Sequence, residues 1–374
     1  MAQSLRRCDW GGIGMESGAP ARSGRPVSFW LFLGMVLGVI LFAGVIGGVA
    51  TGIVDETWLP WKVRKLIRFL DETGTTWMNL RGCLCREDQT VTIPHRRGIM
   101  LAGSLYGLHR GSPKAKILLI HGNTPLGRKL AMYRVLASQL AERGFVVLTI
   151  DTPGHGESDD PLKAEPPLTP AEIADLSSAV EFLDNWEVPG GPTPIFLIGH
   201  SGGATPAMWT GLAAHKIAGI IAIGPPRRTR ERIESGQDFA YFWERARRTH
   251  EQVYGHSYPA WFTQADWLER VKFGYMERYL PHLQQAGHVP VLFLDGERES
   301  PEDQRYLRAY VEAVAEPKAY ATIDGSDHYA NTIAIETGLG TVNLYDQAAV
   351  ETTVDTLVQW MDTIINATAN PAVQ

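Results

Sequence analysis

Cysteine is nearly absent from this 374-residue chain, which carries only Cys8, Cys83 and Cys85. Three thiols build no disulfide framework. Cys83-x-Cys85 has no second pair downstream to complete a zinc site, so all three read as incidental thiols. An excess of positive charge is missing too. Lys and Arg number 35 against 41 Asp and Glu, and the formal net charge of −6 gives no electrostatic basis for a nucleic-acid partner. Internal repeats and low-complexity tracts are also missing, which excludes a solenoid. What remains is ordinary globular material, with 44% hydrophobic and 20% charged residues. That suffices for one large domain or two small ones with a sizeable core.

Charge of either sign is absent from Val27 to Val54, a run of 28 residues. As a helix it would span about 42 Å at roughly 1.5 Å per residue, against a hydrocarbon core of about 30 Å. One tilted transmembrane helix fits, with membrane lipid as its partner. The competing reading is a cleavable signal peptide, whose apolar core is normally only about 7–15 residues. Gly34 and Gly38, then Gly44, Gly48 and Gly52, recur at four-residue spacing. Such spacing suits a helix-pairing face and a homo-oligomer, although glycine is common in membrane helices generally. From Trp58 to Leu70 the residues Leu59, Val63, Leu66, Ile67 and Leu70 share a helical face, while Lys62, Arg64, Lys65 and Arg68 supply charge. That is the composition of an interfacial segment, or of a short helix packed on the soluble domain. Arg22 and Arg25, with Arg6 and Arg7 further out, face these four cations across the run, a balance that leans towards a cytoplasmic catalytic domain. The resulting division is a disordered tail over 1–26, a single-pass anchor over 27–54, a juxtamembrane linker over 55–87 and a catalytic domain over 88–368.

Within 88–368 short strands alternate with helices. Strands are expected at Gln89–Pro94, Ile99–Tyr106, Lys116–His121, Phe145–Ile150, Pro194–Ile198, Ala218–Ile223, Val289–Leu294 and Lys318–Ile323. Thr169-Pro170-Ala171-Glu172 carries the signature of a capping box, opening a helix that runs to about Asn185. Ser300-Pro301-Glu302-Asp303 opens another, to about Ala315, and Val350, Val354, Leu357, Met361 and Ile364 mark a closing amphipathic helix. This alternation predicts an α/β fold with a mainly parallel sheet covered on both faces. About sixty residues, 225–288, break the rhythm with several short helices and read as a lid over the carboxyl ends of the strands. Arg227, Arg228, Arg230 and Arg232 in it suit an acidic substrate or headgroup, or a solvated face.

The chemistry centres on Gly199-His200-Ser201-Gly202-Gly203, which follows a buried strand and precedes a helix. A serine on such a sharp turn exposes its hydroxyl, and the following helix points its positive end at the site. His328, in Asp324-Gly325-Ser326-Asp327-His328 after the last strand, is the expected base. The acid belongs on the loop after Leu294, where Asp295, Glu297, Glu299 and Asp303 are available. Asp295 comes too early and Asp303 fits a helix cap, so Glu299 is the choice. The oxyanion donors are assigned to the backbone N–H of Gly202 and of Asn123, with Thr124 second to Asn123, and His121 is read as structural.

These residues resemble the α/β-hydrolase superfamily over about Val91 to Asn366. His121-Gly122 resembles its oxyanion turn, Asp151-Thr152-Pro153-Gly154-His155-Gly156-Glu157-Ser158 its wall-forming loop, Gly199–Gly203 its nucleophile elbow and Gly325–His328 its histidine loop. The stretch from Val91 to Gly103 is similar to the opening of esterase, dienelactone-hydrolase-like and serine-aminopeptidase-like members. Glu299 departs from the usual aspartate. The resemblance implies no metal and no organic cofactor. It leads to the expectation of a membrane-anchored serine esterase acting on a small-molecule ester or acyl substrate. Amide cleavage, acyl transfer and, in another class, a non-catalytic binding module stand as alternatives. Acyl length and physiological substrate are not legible.

Overall fold

The computed structural model describes residues 59–369, apart from 215, 227–235, 237–238, 286–288 and 339. The tail 1–26, the run 27–54 with its glycines, and Arg227, Arg228, Arg230 and Arg232 lie outside the described residues. Among the described residues no helix is long and apolar enough to cross a membrane. The chain divides into two units, Met1–Arg64 and Lys65–Gln374, and the second holds the sheets.

In chain order the first half contains α1 (Trp61–Thr73), β1 (Leu80–Cys83), β2 (Gln89–Pro94), β3 (Met100–Tyr106), β4 (Lys116–Ile120), α2 (Ala131–Glu142), β5 (Val146–Ile150), α3 (Pro170–Ala174) and α4 (Ser177–Asn185). There follow β6 (Ile195–His200), α5 (Ala204–Ala213), β7 (Ile217–Ile223), α6 (Phe239–Tyr254), α7 (Gln264–Phe273) and α8 (Met276–Gln285). The chain closes with β8 (Val291–Gly296), α9 (Pro301–Ala313), β9 (Lys318–Ile323), β10 (Thr332–Thr337), β11 (Gly340–Asp346) and α10 (Gln347–Ala369).

Among the described residues the main sheet has eight strands in the order β2-β3-β5-β4-β6-β7-β8-β9. The pairs β2–β3 and β3–β5 are antiparallel, and every pair from β5 to β9 is parallel. Sequence explains the two-sided burial. Ile117, Leu118, Leu119 and Ile120 are all buried, and the two-residue period of a strand sends them alternately to opposite faces. Leu118 and Ile120 join Leu148, Ile150 and Leu197 in a core that includes Val180 and Leu183 of α4 and Met208 of α5. Ile117 and Leu119 join Val147, Phe196 and Ile198 in the other, with Leu136 and Leu140 of α2 and Leu357 and Met361 of α10.

Four expectations change. The helix opened by Thr169 has its capping box, but it ends after Ala174 and α4 starts afresh at Ser177. Asp175, extended between them, accepts hydrogen bonds from Ser177 N at 3.0 Å and from the Ser177 hydroxyl, and pairs with Arg96. A local side-chain acceptor outcompetes the helical one there. The strand Lys318–Ile323 is not the last, because β10 and β11 form a separate antiparallel sheet with β1 in the order β1-β11-β10. The stretch 55–87 is more than a linker from Lys65 onward. Leu66 and Phe69 of α1 pack with Ile333 of β10, and Thr75 donates to Asp346 at 2.8 Å. Cys83 and Cys85 are not separate thiols but are paired as a disulfide, with their Cα atoms 5.2 Å apart.

A buried charge pair fastens the loop after β5. Asp151, at the end of that strand, faces Arg128, whose side chain is 4% exposed. Arg128 also donates to Ser104 Oγ at 3.0 Å and to Glu157 Oε2 at 2.8 Å. Burial pushes the Asp151 carboxyl upward while the guanidinium pulls it down. Arg128→Ala is therefore expected to cost about 3–5 kcal/mol of stability, since it leaves a carboxylate buried without its cation. A urea midpoint equal to that of the unmodified protein would contradict this.

Candidate active site

β6 delivers the serine. Its last residue is His200, and Ser201 then turns the chain at φ 50°, in the left-handed region that a non-glycine residue occupies only under constraint. The constraint is visible on both sides of the turn. A Cβ placed on Gly203 would stand 2.3 Å from the His121 carbonyl oxygen, so α5 approaches β4 more closely than any side chain allows. Gly203→Ala is expected to destabilise the fold by about 1–3 kcal/mol or more, read as a lowered melting temperature, because backbone rather than a flexible side chain must move.

The His121-Gly122-Asn123 turn lies against this elbow. The Asn123 backbone nitrogen is 3.3 Å from where a Gly202 side chain would begin, so the two residues expected to supply the donors are adjacent. Two histidines brace the turn. His121 is buried, receives the Thr152 N–H on Nε2 at 3.0 Å and faces its neighbour's carbonyl, Gly122 O, with Nδ1 at 2.6 Å. Burial lowers its pKa to about 4, so the ring is neutral and structural near neutral pH. His155 contacts the Asn123 side-chain oxygen through Nε2 at 3.2 Å and the Thr152 hydroxyl through Nδ1 at 3.1 Å. Desolvation lowers its pKa to about 3.

The loop after β9 carries His328. Its Nδ1 stands 2.5 Å from Glu299 Oε1. The other three acids weighed for this role are engaged elsewhere. Asp303 exchanges two hydrogen bonds with Ser300, at 2.7 and 3.1 Å, at the start of α9. Glu297 accepts the Gly325 N–H at 2.7 Å, and Asp295 is buried at the end of β8, where it accepts the Gly296 N–H at 3.1 Å. Asp327 shapes the histidine loop from within, accepting from Tyr329 N at 2.9 Å and Asn331 N at 2.7 Å.

One set of positioning residues escaped the sequence reading. Gly122 N–H donates to the Tyr133 hydroxyl at 2.7 Å, and that hydroxyl lies 2.7 Å from His200 Nδ1. His200 Nε2 in turn stands 2.8 Å from the His328 carbonyl oxygen. A carbonyl only accepts, so Nε2 carries the proton and Nδ1 receives the Tyr133 O–H. The chain of bonds runs from the Gly122-Asn123 turn to the loop that carries His328. In sequence Tyr133 is simply a buried aromatic of α2, and His200 fills a variable place in its motif.

Ser201, Gly202, Asn123, Glu299 and His328 all line one cavity of about 720 Å³. Its outer wall comes from the segment between β7 and β8, where Phe242 and Arg245 of α6, Trp267 and Arg270 of α7, and Tyr275 border it. Phe239, Phe242, Trp243, Phe262 and Trp267 pack together there with Leu162. The Arg245 guanidinium reaches the Asn123 carbonyl at 3.5 Å.

Comparison with known proteins is consistent with this frame. A sequence profile described as "Alpha/beta hydrolase family" matches residues 117–334, more than half of the chain. No curated protein matches the sequence. Among solved structures, a bromoperoxidase from Bacillus anthracis is similar at 15% identity and TM-score 0.50, covering 73% of this chain and 100% of its own. DcsB in complex with its substrate analogue is similar at 16% identity and TM-score 0.50, covering 74% of this chain and 99% of its own. A carboxyl esterase from Bacillus coagulans is similar at 14% identity and TM-score 0.49, covering 74% and 98%. At such identities the first two likenesses concern the fold alone.

Proposed function

The chain belongs to the alpha/beta hydrolase family, and from that premise we propose that it is a serine hydrolase cleaving carboxylic esters through an acyl-enzyme on Ser201. The observation that carries this reading is the His328–Glu299 contact of 2.5 Å on the cavity that also holds the strained Ser201 turn. Glu299 holds the proton of His328 on Nδ1, which leaves Nε2 basic for the serine. As Ser201 Oγ attacks the ester carbonyl, Nε2 takes its proton, and the oxygen of the tetrahedral adduct gathers charge beside the Gly202 and Asn123 N–H groups. Each such donor is typically worth about 3–4 kcal/mol in the transition state. The imidazolium then protonates the leaving alkoxide. Water, deprotonated by the same nitrogen, attacks the acyl-enzyme and releases the acid. Phe242, Tyr258, Trp267, Phe273 and Tyr275 on the outer wall suit an apolar acyl or alcohol group.

The test uses the purified chain with a fluorophosphonate probe and with aryl esters, a thioester and aminoacyl anilides. The expected result is an adduct mapped to Ser201 and turnover highest on the esters. No adduct and no ester turnover would refute the reading, while turnover confined to the anilides would move it to a peptidase. The proposal extends to a single-pass anchor over 27–54 that keeps the enzyme at a membrane, supported by the uncharged run. Flotation of the full chain with vesicles, lost on deleting residues 1–54, is the expected outcome.

A further inference from the structure

α6 ends beside the loop that follows β5, and three ligand-type side chains converge there. Asp160 stands on that loop, His250 on the last turns of α6 and His256 two residues past its end. One ligand atom from each lies within 4.8 Å of the other two. Asp160 is 2% exposed and His250 5% exposed. His250 Nε2 is 3.7 Å from Asp160 Oδ2, beyond hydrogen-bond reach, and neither atom has a hydrogen-bond partner among the described residues. Buried polar atoms are ordinarily satisfied, so this pair of orphans requires a cause.

The remaining polar atoms are arranged as a metal site arranges them. The other oxygen of Asp160 accepts the Leu162 N–H at 2.9 Å, which fixes the carboxylate. His256 Nδ1 stands 3.0 Å from the Ser257 carbonyl. That acceptor keeps the His256 proton on Nδ1 and leaves Nε2 as a free lone pair, the usual second bond of a ligating histidine. Two atoms bound at about 2.0–2.2 Å to one tetrahedral ion stand roughly 3.3–3.6 Å apart, close to the observed gap. A bare ion pair between His250 and Asp160 would instead close to hydrogen-bond distance. Lys163 and Arg270 face His250 as well, so a third cation at this place requires direct bonds to hold it.

We propose that Asp160, His250 and His256 bind a divalent transition metal, with zinc the best chemical match for two imidazoles and one carboxylate, water taking the fourth position. The ion fastens α6 to the core loop and so fixes one wall of the cavity, which Asp160 and His250 themselves line. It touches none of Ser201, Glu299 or His328 and takes no part in acyl transfer. The resemblance implied no metal anywhere in the chain, and this site departs from that expectation.

The full chain, dialysed against a chelator, is titrated with zinc alone by calorimetry, and hydrogen exchange is followed over residues 239–262. The expected result is one ion per chain and slower exchange in that segment on zinc addition. His256→Gln, at an exposed ring, and Asp160→Asn should each weaken binding by at least about tenfold. Circular dichroism checks folding, and if Asp160→Asn does not fold, His256→Gln and His250→Gln decide. A folded protein that takes up no zinc at micromolar concentration overturns the proposal. So does zinc binding unchanged by both histidine variants.

Discussion

Replacing Ser201 with alanine is expected to lower kcat/KM on an aryl ester by about 10⁵–10⁶-fold and to abolish fluorophosphonate labelling. The size follows from the division of labour. On the proposed mechanism alanine removes the attacking atom, and the His328–Glu299 pair cannot act on an ester without it. What survives is the catalysis of a binding cavity with oxyanion donors, about 10³–10⁴-fold above water in enzymes of this design. Stability should hardly change. The residue stays non-glycine at φ 50°, so the backbone strain is the same in both forms. The measurement is a rate assay beside a melting curve. A loss below about a hundredfold, with the fold intact, would remove Ser201 from the nucleophile's place. Loss of turnover with some biological role undiminished would instead favour the binding-module alternative.

Much of the frame was legible because its signals are local. The strands β4, β5 and β6 are buried along their whole length and mostly apolar, as a strand covered on both faces must be. The Thr169 box and the Ser300 cap were readable for the same reason, since each is a hydrogen-bond pattern closed within four residues. Glu299, which stands against His328, was singled out by elimination because Asp303 has a helix to cap. Illegible features depended on partners far apart in sequence. β1 pairs with β11 across more than 260 residues, and nothing in Leu80–Cys83 announces a strand. Tyr133 and His200 are linked by a single hydroxyl across 67 residues. Asp160 and His250 became a pair only when α6 was laid on the loop after β5, 90 residues earlier in the chain. The break at Asp175 was missed for a smaller reason. Its helical spacing continues through α4, and only the competition of its own carboxylate for Ser177 interrupts it.

The other large effect separates Glu299 from the neighbouring acids. Glu299→Gln is expected to lower kcat/KM by about 10⁴-fold with little change in KM, the scale seen when the orienting carboxylate of such a triad becomes an amide. The side chain keeps its length, so its place 2.5 Å from His328 Nδ1 is retained. What is lost is the charge that stabilises the imidazolium and the acceptor-only character that fixes the tautomer. An amide can present its NH2 to Nδ1, and that would drive the proton onto Nε2, where the serine needs a lone pair. Asp303→Asn serves as the control. It disturbs the bonds with Ser300 that start α9, at a cost under about 1 kcal/mol, and should hold turnover within tenfold. Glu297→Gln weakens only an acceptor for the Gly325 N–H. It should act, if at all, through the position of the His328 loop, lowering kcat less than Glu299→Gln does. If Asp303→Asn proved the damaging change and Glu299→Gln did not, His328 would have to turn away from the partner it faces here. Glu299→Asp then gives a graded reading. It restores the charge but shortens the reach by one methylene, so partial recovery over glutamine would identify charge rather than contact as what His328 draws from this residue.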